Sequence, residues 1–388
     1  MRLAKRNCPI CGCKINNSIF SVHMKLPKEL RLPDSYHVAE CDYCGFCYAD
    51  TEADAEDYRY YYENNNFYGG LDIEISAYGP LFQETKALLD SLGISGEKLL
   101  DIGFGKGELD IFLSRNGYPY IEGLDPSWQS VNHLKSYGVE ARCGSVYDEA
   151  AEGKGEYKCL FMYGMIEHLY DPFLAVSRAK AYLKEGGYLF WWLPVFDDMR
   201  EDDTPIVNNF NQEHINYFSS VSVRNLASMS GLRLIRESRL TAAQRGSSKA
   251  YGILSVYQPD DDVVCELSKD RITRSSIEEY HERVGGKESA VRRQIAEWKR
   301  TQEEILVWGT GAYMMNLAAE TELLDCNIAA FVDNNPAKQG GEISGIPVAG
   351  PELLQTHTGR VAICSMMYAD CIRRQIREAG YENEMIIL

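Results

Sequence analysis

Between residues 98 and 194 the sequence alternates between strand-like and helix-like stretches. The strand-like segments are "KLLDI", "YIEGLD", "VEARC", "YKCLFMYG" and "YLFWWLP", and helical spacing lies between most of them, as in "ELDIFLSRNG" and "SWQSVNHLKSYG". Strands that alternate with helices predict an α/β fold with a doubly wound, mostly parallel, Rossmann-like sheet. A sheet of this kind binds its ligand at the carboxyl ends of its strands.

The stretch from 173 to 187, "FLAVSRAKAYLKEGG", is predicted to form one helix of this alternation. Apolar residues recur in it every three or four positions, which is the spacing of a single buried helix face. The residues expected on that face are Phe173, Val176, Ala179 and Leu183. Further along, "LRLIRESRL" and "SKAYGILSVYQ" are predicted to add the last two strands of the sheet.

Three glycines follow the first predicted strand in "LLDIGFGKGELDIFL", residues 99–113. Gly103, Gly105 and Gly107 lie where the strand gives way to a helix, so the backbone there can approach a ligand closely and present N–H groups to it. By itself this turn suits either a dinucleotide or S-adenosylmethionine.

Acidic residues around the glycine turn favour the second of these ligands. Asp101 precedes the glycines and Glu108 opens the helix. Carboxylates in these positions repel a pyrophosphate but suit an aminoacyl group or a sulfonium cation. Asp125 ends the second strand, where an acid can accept hydrogen bonds from both hydroxyls of a ribose.

Six of the twelve cysteines lie within the first 47 residues. Two Cys-x-x-Cys pairs, each followed by glycine, can deliver four thiolates to one tetrahedral Zn²⁺. With four thiolates no coordination position stays open for water, so the predicted zinc is structural. The expected ligands are Cys8, Cys11, Cys41 and Cys44. Cys13 and Cys47 repeat the same offset, so the choice of four stays open.

The motifs "LLDIGFGKGELDIFL", "IEGLDPS", "CGSVYDEA" and "LFMYGMIEHLYDP" resemble, in order and spacing, those of class I S-adenosylmethionine-dependent methyltransferases. The resemblance implies that Asp101 and the three glycines line the methionine end of the cofactor and that Asp125 holds its ribose. It also implies that Ser145 and Val146 approach the adenine and that Tyr163 closes the pocket. A nucleotide-binding fold without activity is the alternative.

A polar loop follows the fifth strand and contains Glu213, His214 and Tyr217 within a few residues. Imidazole titrates near neutral pH, and a neighbouring carboxylate can orient it and raise its basicity. His214 is therefore the candidate general base, with Glu213 orienting it and Tyr217 shaping the pocket. A hydrogen-bonded histidine at the start of a helix is the structural alternative.

The order of zinc knuckles, methyltransferase core, "QEHINYFS" and a second glycine turn resembles the bacterial sugar C-methyltransferase family. Its members methylate keto-deoxysugars attached to nucleoside diphosphates. The resemblance implies methyl transfer to a small carbohydrate-like acceptor, in particular a nucleotide-linked sugar. Members commonly carry Tyr-His-Glu-His where this sequence has Asn211, Gln212, Glu213 and His214. An O- or N-methyltransferase acting on a polysaccharide, a peptide or another secondary-metabolite intermediate is the nearer alternative, and a non-catalytic binding module is the other.

The C-terminal third is predicted to begin with a charged connector helix, residues 275–304, interrupted at Gly285 and Gly286. A second glycine turn follows at Gly309 and Gly311, which predicts a second Rossmann-like domain. We interpret this domain as handling substrate or nucleotide, without an NAD site, and a dimerisation scaffold is the alternative. The expected domains are zinc-binding 1–57, methyltransferase 58–270 and C-terminal 271–388.

The formal net charge of −17 argues against a nucleic-acid partner, since no run of Lys and Arg offers a local basic patch. A small-molecule substrate is favoured. The most apolar stretch, residues 188–196, is too short to cross a bilayer. The N-terminal residues reach cysteines before any apolar signal region, so we expect a cytoplasmic protein, either a monomer or a homodimer.

Overall fold

The computed structural model describes residues 1–64, 75–148, 153–201, 204–245, 248–336, 338–357, 359–365 and 368–388. Within these ranges the chain forms three sheets. The helices of the described ranges are α1 Ala55–Asn64, α2 Gly79–Ser91, α3 Glu108–Arg115, α4 Trp128–Ser136, α5 Pro172–Lys180, α6 Ile206–Asn209, α7 Ser220–Met229, α8 Thr273–Thr301, α9 Ala312–Glu320 and α10 Ala369–Glu378.

The N-terminal sheet is antiparallel and receives one strand from far along the chain. Its strands, in spatial order, are β1 Arg2–Leu3, β2 Ile15–His23, β3 Ser35–Cys41, β4 Cys47–Asp50 and β10 Asn216–Tyr217. The short strand β10 pairs with β4, with Asn216 opposite Tyr48 and Tyr217 opposite Cys47. The loop that carries Glu213 and His214 therefore ends in the sheet of the cysteine domain.

The central sheet has seven strands, and the five that come first in the chain are parallel. Its spatial order is β11-β12-β9-β8-β5-β6-β7, and β12 runs antiparallel to both of its neighbours. The strands are β5 Leu99–Ile102, β6 Ile121–Asp125, β7 Glu140–Cys143, β8 Tyr157–Tyr163, β9 Leu183–Pro194, β11 Leu232–Arg245 and β12 Ser248–Pro259. From β5 the chain first adds β6 and β7 on one side and then β8 and β9 on the other, so the strand order reverses at β5. Ligands bind at such a reversal point in doubly wound sheets. This confirms the predicted doubly wound fold.

The predicted helix 173–187 is wrong at its C-terminal end. Helix α5 ends at Lys180, and Leu183 already belongs to β9, where it pairs with Tyr157. Its buried face consists of Pro172, Ala175, Val176 and Ala179, whereas Phe173 is 41% exposed. Pairing with a distant strand overrode the local helical pattern, which sequence spacing does not reveal.

The C-terminal sheet is also a mostly parallel, Rossmann-like sheet, in the order β15-β16-β14-β13-β17-β18. Its strands are β13 Ile305–Trp308, β14 Ile328–Val332, β15 Glu342–Ile343, β16 Ile346–Ala349, β17 Arg360–Ile363 and β18 Met385–Ile387. Only β15, at one edge, is antiparallel to its neighbour among the described strands. The turn at Gly309 and Gly311 lies between β13 and α9, as predicted.

Helix α8 runs without a break through Gly285 and Gly286, so the predicted interruption is wrong. Each glycine costs a helix about 1 kcal/mol relative to alanine. Tertiary packing supplies the compensation, because Ile277, Val284 and Trp298 along the same helix are buried in the largest apolar cluster.

That largest cluster is shared by the N-terminal sheet, α8, the C-terminal sheet and the segment around Tyr217. A second cluster packs Cys8, Cys41 and Cys44 against one face of the central sheet. The proposed boundary between residues 57 and 58 falls inside α1. The cysteine domain is therefore built into the cores of both neighbours. None of the described helices is both long enough and apolar enough to span a membrane.

Candidate active site

A cleft opens at the carboxyl ends of β5 and β6. Helix α1 of the N-terminal region forms its opposite wall. The lining residues on the sheet side include Gly103, Gly105, Asp125, Ser145, Val146 and Gly164, and those on the other side include Tyr58, Arg59, Tyr62, Glu63, His168 and Glu213. The cleft therefore lies between the glycine turn and the loops that follow β8 and β9.

The glycine turn needs glycine for two separate reasons. Gly103 has φ of 72°, and a Cβ there would lie 2.6 Å from the Sδ atom of Met165. Gly105 has φ of 60°, which also favours glycine. The backbone of both residues is thereby exposed to the cleft, as a closely bound ligand requires.

Asp125 lies at the end of β6 and is held by backbone groups. Its Oδ2 accepts a hydrogen bond from the N–H of Gly105 at 3.1 Å, and its Oδ1 accepts one from Ser127 at 2.8 Å. Burial raises the pKa of Asp125 to about 6, against the lowering effect of these two bonds. The carboxyl group therefore joins the glycine turn to the next strand and faces the cleft with its orientation fixed.

Ser145 and Val146 follow β7 and line the same cleft. The N–H of Ser145 donates to Oδ2 of Asp148 at 2.8 Å, and its hydroxyl oxygen accepts from the N–H of Tyr147 at 3.2 Å. These bonds fix the loop that was predicted to approach an adenine.

Asp101, Gly107 and Tyr163 are not among the described residues that line the cleft. Asp101 is buried beside Asp110 of α3, and burial together with the neighbouring Asp110 raises the pKa of Asp101. Burial raises the pKa of Asp110 to about 7, against the lowering effect of its hydrogen bond with Asp101. Tyr163 directs its hydroxyl to Thr85 of α2, at 2.8 Å. Gly107 starts α3, where a Cβ would lie 2.6 Å from Leu134. These three residues therefore lie outside the described lining of the cleft.

His168 lies in the 3-10 turn Ile166–His168 after β8 and faces the cleft from the other side. Its Nδ1 is 3.1 Å from the carbonyl oxygen of Glu213 and 3.3 Å from the hydroxyl of Tyr62. A carbonyl oxygen can only accept, so Nδ1 carries the proton and Nε2 keeps its lone pair. The segment after β8, which carries His168, and the segment after β9, which carries Glu213, therefore meet at this imidazole.

His214 stands edge to face with His168, with ring centroids 4.7 Å apart. Burial lowers the pKa of His214 to about 4, and burial together with the neighbouring His214 lowers the pKa of His168 well below its usual value. Both imidazoles are therefore neutral at pH 7 and able to accept a proton. Burial also raises the pKa of Glu167 to about 8, and its Oε1 is 3.8 Å from Nε2 of His168.

The other two residues predicted for catalysis have different environments. Glu213 lines the cleft, and its carboxyl accepts a hydrogen bond from Tyr61 at 2.9 Å, so among the described residues it bonds to Tyr61 and not to His214. Tyr217 is 1% exposed in the largest apolar cluster, where its hydroxyl donates to that of Tyr36 at 3.1 Å. Asn211 accepts from the N–H groups of both Glu213 and His214, which fixes the start of their loop.

The sequence reasoning missed His168, Glu167 and the tyrosines of α1. The first two stand side by side in "MIEHLYDP", a segment directly after a strand of the parallel sheet. Its position at the carboxyl end of β8 was the available signal, since such ends carry the site. For Tyr61 and Tyr62 no signal existed, because their contacts join residues more than 100 positions apart.

The four predicted cysteine ligands come together, with all four Sγ atoms within 4.8 Å of one another. The Sγ–Sγ distances are 3.6 Å for Cys8 to Cys44 and 3.5 Å for Cys11 to Cys41. Four thiolates around a tetrahedral Zn²⁺ are about 3.8 Å apart, so the donor set fits this ion. The Sγ atoms of Cys13 and Cys47 approach backbone carbonyls and are outside the group.

A second group with metal-ligand chemistry consists of Glu167, His168 and His214, again within 4.8 Å of one another. This group includes the imidazole pair described above and lies beside the cleft. The same atoms can act in proton transfer or as ligands, and metal content distinguishes the two.

The glycine turn, the acid at the end of the next strand and the doubly wound sheet are the combination that the sequence resemblance to class I S-adenosylmethionine-dependent methyltransferases implies. Residues 77–237 match the family model described as a methyltransferase domain, so this part of the chain is a methyltransferase domain. Residues 301–387 match a second model, described as C2185-like, N-terminal.

Curated relatives include ubiquinone biosynthesis O-methyltransferases. The protein from Chromobacterium violaceum is 29% identical over 126 residues, which cover 30% of this chain and 54% of the relative. The protein from Vibrio campbellii is 30% identical over 105 residues, covering 26% and 44%. The chain thus spans about half the length of the curated relatives it matches.

Solved structures with a similar domain include a putative sarcosine dimethylglycine methyltransferase from Galdieria sulphuraria. It is 17% identical, covers 51% of this chain and 95% of that chain, and has a TM-score of 0.41. Geranyl diphosphate C-methyltransferase from Streptomyces coelicolor A3(2) is 16% identical, with 53% and 97% coverage and a TM-score of 0.40. The assignment of residues 77–237 as a methyltransferase domain rests on the family match.

Proposed function

We propose that this protein transfers the methyl group of S-adenosylmethionine to a small, carbohydrate-like acceptor, in particular a carbon atom of a nucleotide-linked keto-deoxysugar. The observation that carries the proposal is the position of His168, which lines the cleft across from the glycine turn, with the neutral imidazole of His214 packed edge to face against it. Asp125 is proposed to hold the cofactor ribose, and Ser145 and Val146 to contact its adenine. Asp101 and Gly107 are proposed to shape the methionine end of the cofactor site through the backbone of the turn. Tyr163 is proposed to support this site through its hydrogen bond with Thr85.

When bound, S-adenosylmethionine supplies an electrophilic methyl group on a sulfonium. An electron pair of the acceptor forms the bond to the methyl carbon, the carbon–sulfur pair stays on sulfur, and the acceptor proton passes to an imidazole. We assign this proton to His214, the general base, with His168 beside it. The backbone carbonyl of Glu213 orients His168, and Tyr217 supports the loop from the core. Holding the partners together supplies much of the acceleration.

Polar groups on the acceptor side support a small oxygenated acceptor. Tyr62, His168 and Glu213 offer a hydroxyl, an imidazole and a carboxyl to the cleft, and Arg59 of α1 lies at the same wall. Such groups hydrogen-bond hydroxyl and carbonyl oxygens of a sugar. Methylation of an acceptor oxygen is the second candidate, and the names of the curated relatives favour it.

We further propose that the four-cysteine cluster holds a structural Zn²⁺. Its buried thiols pack against one face of the central sheet, away from the lining of the cleft. The ion would stabilise the two knuckles, with no part in the chemistry of methyl transfer.

The test is transfer of label from methyl-tritiated S-adenosylmethionine to a panel of nucleoside-diphosphate-linked keto-deoxysugars, with catechols and quinols as the O-methylation arm. NMR of the product identifies the methylated atom. A carbon-linked methyl on a sugar supports the proposal, whereas labelling of phenolic oxygen alone overturns the sugar assignment. A His214→Asn variant that turns over normally would remove His214 from the mechanism.

A further inference from the structure

Arg6 is a buried cation that lies beneath both segments of the acceptor side. It is 2% exposed and precedes the first cysteine ligand by two residues. Among the residues that the structure describes, no carboxylate makes an ion pair with its guanidinium. Its partners are neutral oxygens, together with the ring of Tyr170, whose centroid is 4.9 Å from Cζ. A buried charge arranged in this way is costly, which indicates a role that an apolar residue would not fill.

The guanidinium bonds to two segments that the central sheet leaves unconnected. One is residues 166–170, after β8, and it receives bonds at the carbonyl oxygens of Leu169 and Tyr170, at 3.2 and 2.6 Å. The other is residues 213–217, after β9, and it receives bonds at the carbonyl of Ile215 and at Oδ1 of Asn216, at 3.0 and 2.9 Å. The first segment carries His168 and the second carries His214.

The two segments have little regular structure of their own to hold them. The first is a single 3-10 turn and its exit, and the second contributes only the two-residue strand β10. Asn216 extends the same connection, because its Nδ2 donates to the carbonyls of Ile166, Glu167 and Leu169. Buried carbonyls need such donors, and the planar fork of arginine can serve several acceptors at once.

The backbone of Arg6 is fixed in turn by the N-terminal sheet. Asp50 in β4 accepts from the N–H groups of Lys5 and Arg6 with the same Oδ1, at 2.7 and 2.8 Å. Strand β4 also pairs with β10. The cysteine domain therefore contacts the acceptor side both through strand β4 and through the side chain of Arg6.

We propose that Arg6 is a positioning residue of the active site, whose guanidinium sets the distance between the segment that carries His168 and the segment that carries His214. This inference rests on the proposed function, because it assigns the imidazole pair to the acceptor. Arg6 is not among the described residues that line the cleft. Within the described part of the chain its side-chain bonds reach only the two acceptor-side segments, so its replacement should alter the acceptor side and leave the cofactor side unchanged.

The experiment compares Arg6→Lys and Arg6→Met with Arg2→Met. Arg2 lies in the same N-terminal segment and bonds to Asp50 and Asn16, but it reaches neither acceptor-side segment, which makes it a matched control. Arg6→Lys keeps the buried charge and loses the fork, so it carries the test if Arg6→Met fails to fold. Calorimetry with S-adenosylhomocysteine reports the cofactor side, and kcat and KM for whichever sugar in the panel accepts label report the acceptor side.

We expect Arg6→Lys to bind S-adenosylhomocysteine with unchanged affinity and to lose kcat by roughly 10- to 100-fold, as small misplacements of reacting groups do. Arg2→Met should keep the kcat of the parent protein. ¹⁵N NMR of the imidazoles gives a readout that needs no acceptor. In Arg6→Lys the separation between the Nδ1 and Nε2 signals of His168 should narrow, because its bond to Glu213 loosens.

Unchanged kcat together with unchanged His168 signals in Arg6→Lys would overturn the positioning role. An equal loss of S-adenosylhomocysteine affinity and of kcat, with unchanged imidazole signals, would also overturn it, because that pattern indicates general destabilisation. A panel in which no sugar accepts label would instead count against the proposed function, while the imidazole signals would still decide the role of Arg6.

Discussion

His168 and His214 form an edge-to-face imidazole pair, although they follow different strands of the central sheet. His168 follows β8 and His214 follows β9, and a carbonyl oxygen next to His214 in the chain fixes the tautomer of His168. The pair is neutral at pH 7 because burial lowers both pKa values. A base on this side of the cleft is therefore ready to accept a proton without first losing one.

Replacement of either imidazole should separate catalysis from cofactor binding. His168→Asn and His214→Asn remove the proton acceptor but leave the glycine turn intact, so kcat should fall by about 10²- to 10⁴-fold. Calorimetry with S-adenosylhomocysteine should show unchanged affinity in both variants. Tyr137→Phe, directly after the last residue of α4, serves as an exposed control. If the affinity falls with kcat, the pair belongs to the cofactor site.

Cofactor affinity should depend on pH through Asp125. Its pKa is raised to about 6 by burial, so the carboxylate is ionised above that value and protonated below it. The ionised form accepts hydrogen bonds from ribose hydroxyls, and affinity for S-adenosylhomocysteine should therefore weaken as the pH falls from 7.5 through 6. Asp125→Asn should bind about 10- to 100-fold more weakly, as expected when a charged acceptor is lost. This variant should also lack the pH step; a step that persists would assign it to another group.

Metal analysis of the purified protein should give about one zinc per chain. Cys41→Ser should lose the metal and unfold at lower temperature, because a structural ion contributes its binding energy to folding. Cys13→Ser is the control and should keep the metal, since its thiol lies outside the cluster. The double variant His168→Asn, His214→Asn should also keep one equivalent. A second equivalent that this double variant removes would show a metal at the imidazole pair.

Replacement of Gly285 or Gly286 by alanine should stabilise the protein. A Cβ at either position meets no atom within 4 Å, and both residues lie inside α8. Alanine in a helix interior is favoured over glycine by roughly 0.5–1 kcal/mol. Thermal unfolding should therefore occur at higher temperature. Gly45→Ala should lower the unfolding temperature, because its Cβ would clash with the carbonyl oxygen of Asp270. A lower unfolding temperature for Gly285→Ala would indicate a break in the helix.

Local patterns in the sequence predicted the features that depend on neighbouring residues. The alternation of strands and helices was confirmed as a doubly wound sheet, and Gly103, Gly105 and Asp125 lie together at its switch point. The spacing of the Cys-x-x-Cys pairs brought four thiols together. Each of these features follows from residues within a short stretch, or from the general rule that parallel strands end at one edge.

The features that escaped prediction depend on contacts between distant residues. Leu183 belongs to strand β9 because it pairs with Tyr157. Helix α8 continues through two glycines because other apolar residues of the helix are buried in the largest apolar cluster. Tyr62 reaches His168 across more than 100 residues. The side chain of Asp101 turned toward Asp110, which a motif alone does not indicate.

The pairing of β10 with β4 determines which portion of this chain can be handled as a unit. A shortened version beginning at residue 58 would contain the whole glycine turn but would leave Asn216 and Tyr217 without a strand to join. Efforts to transplant the domain, or to recombine it with a foreign acceptor loop, should therefore carry the cysteine sheet along with the loop it anchors.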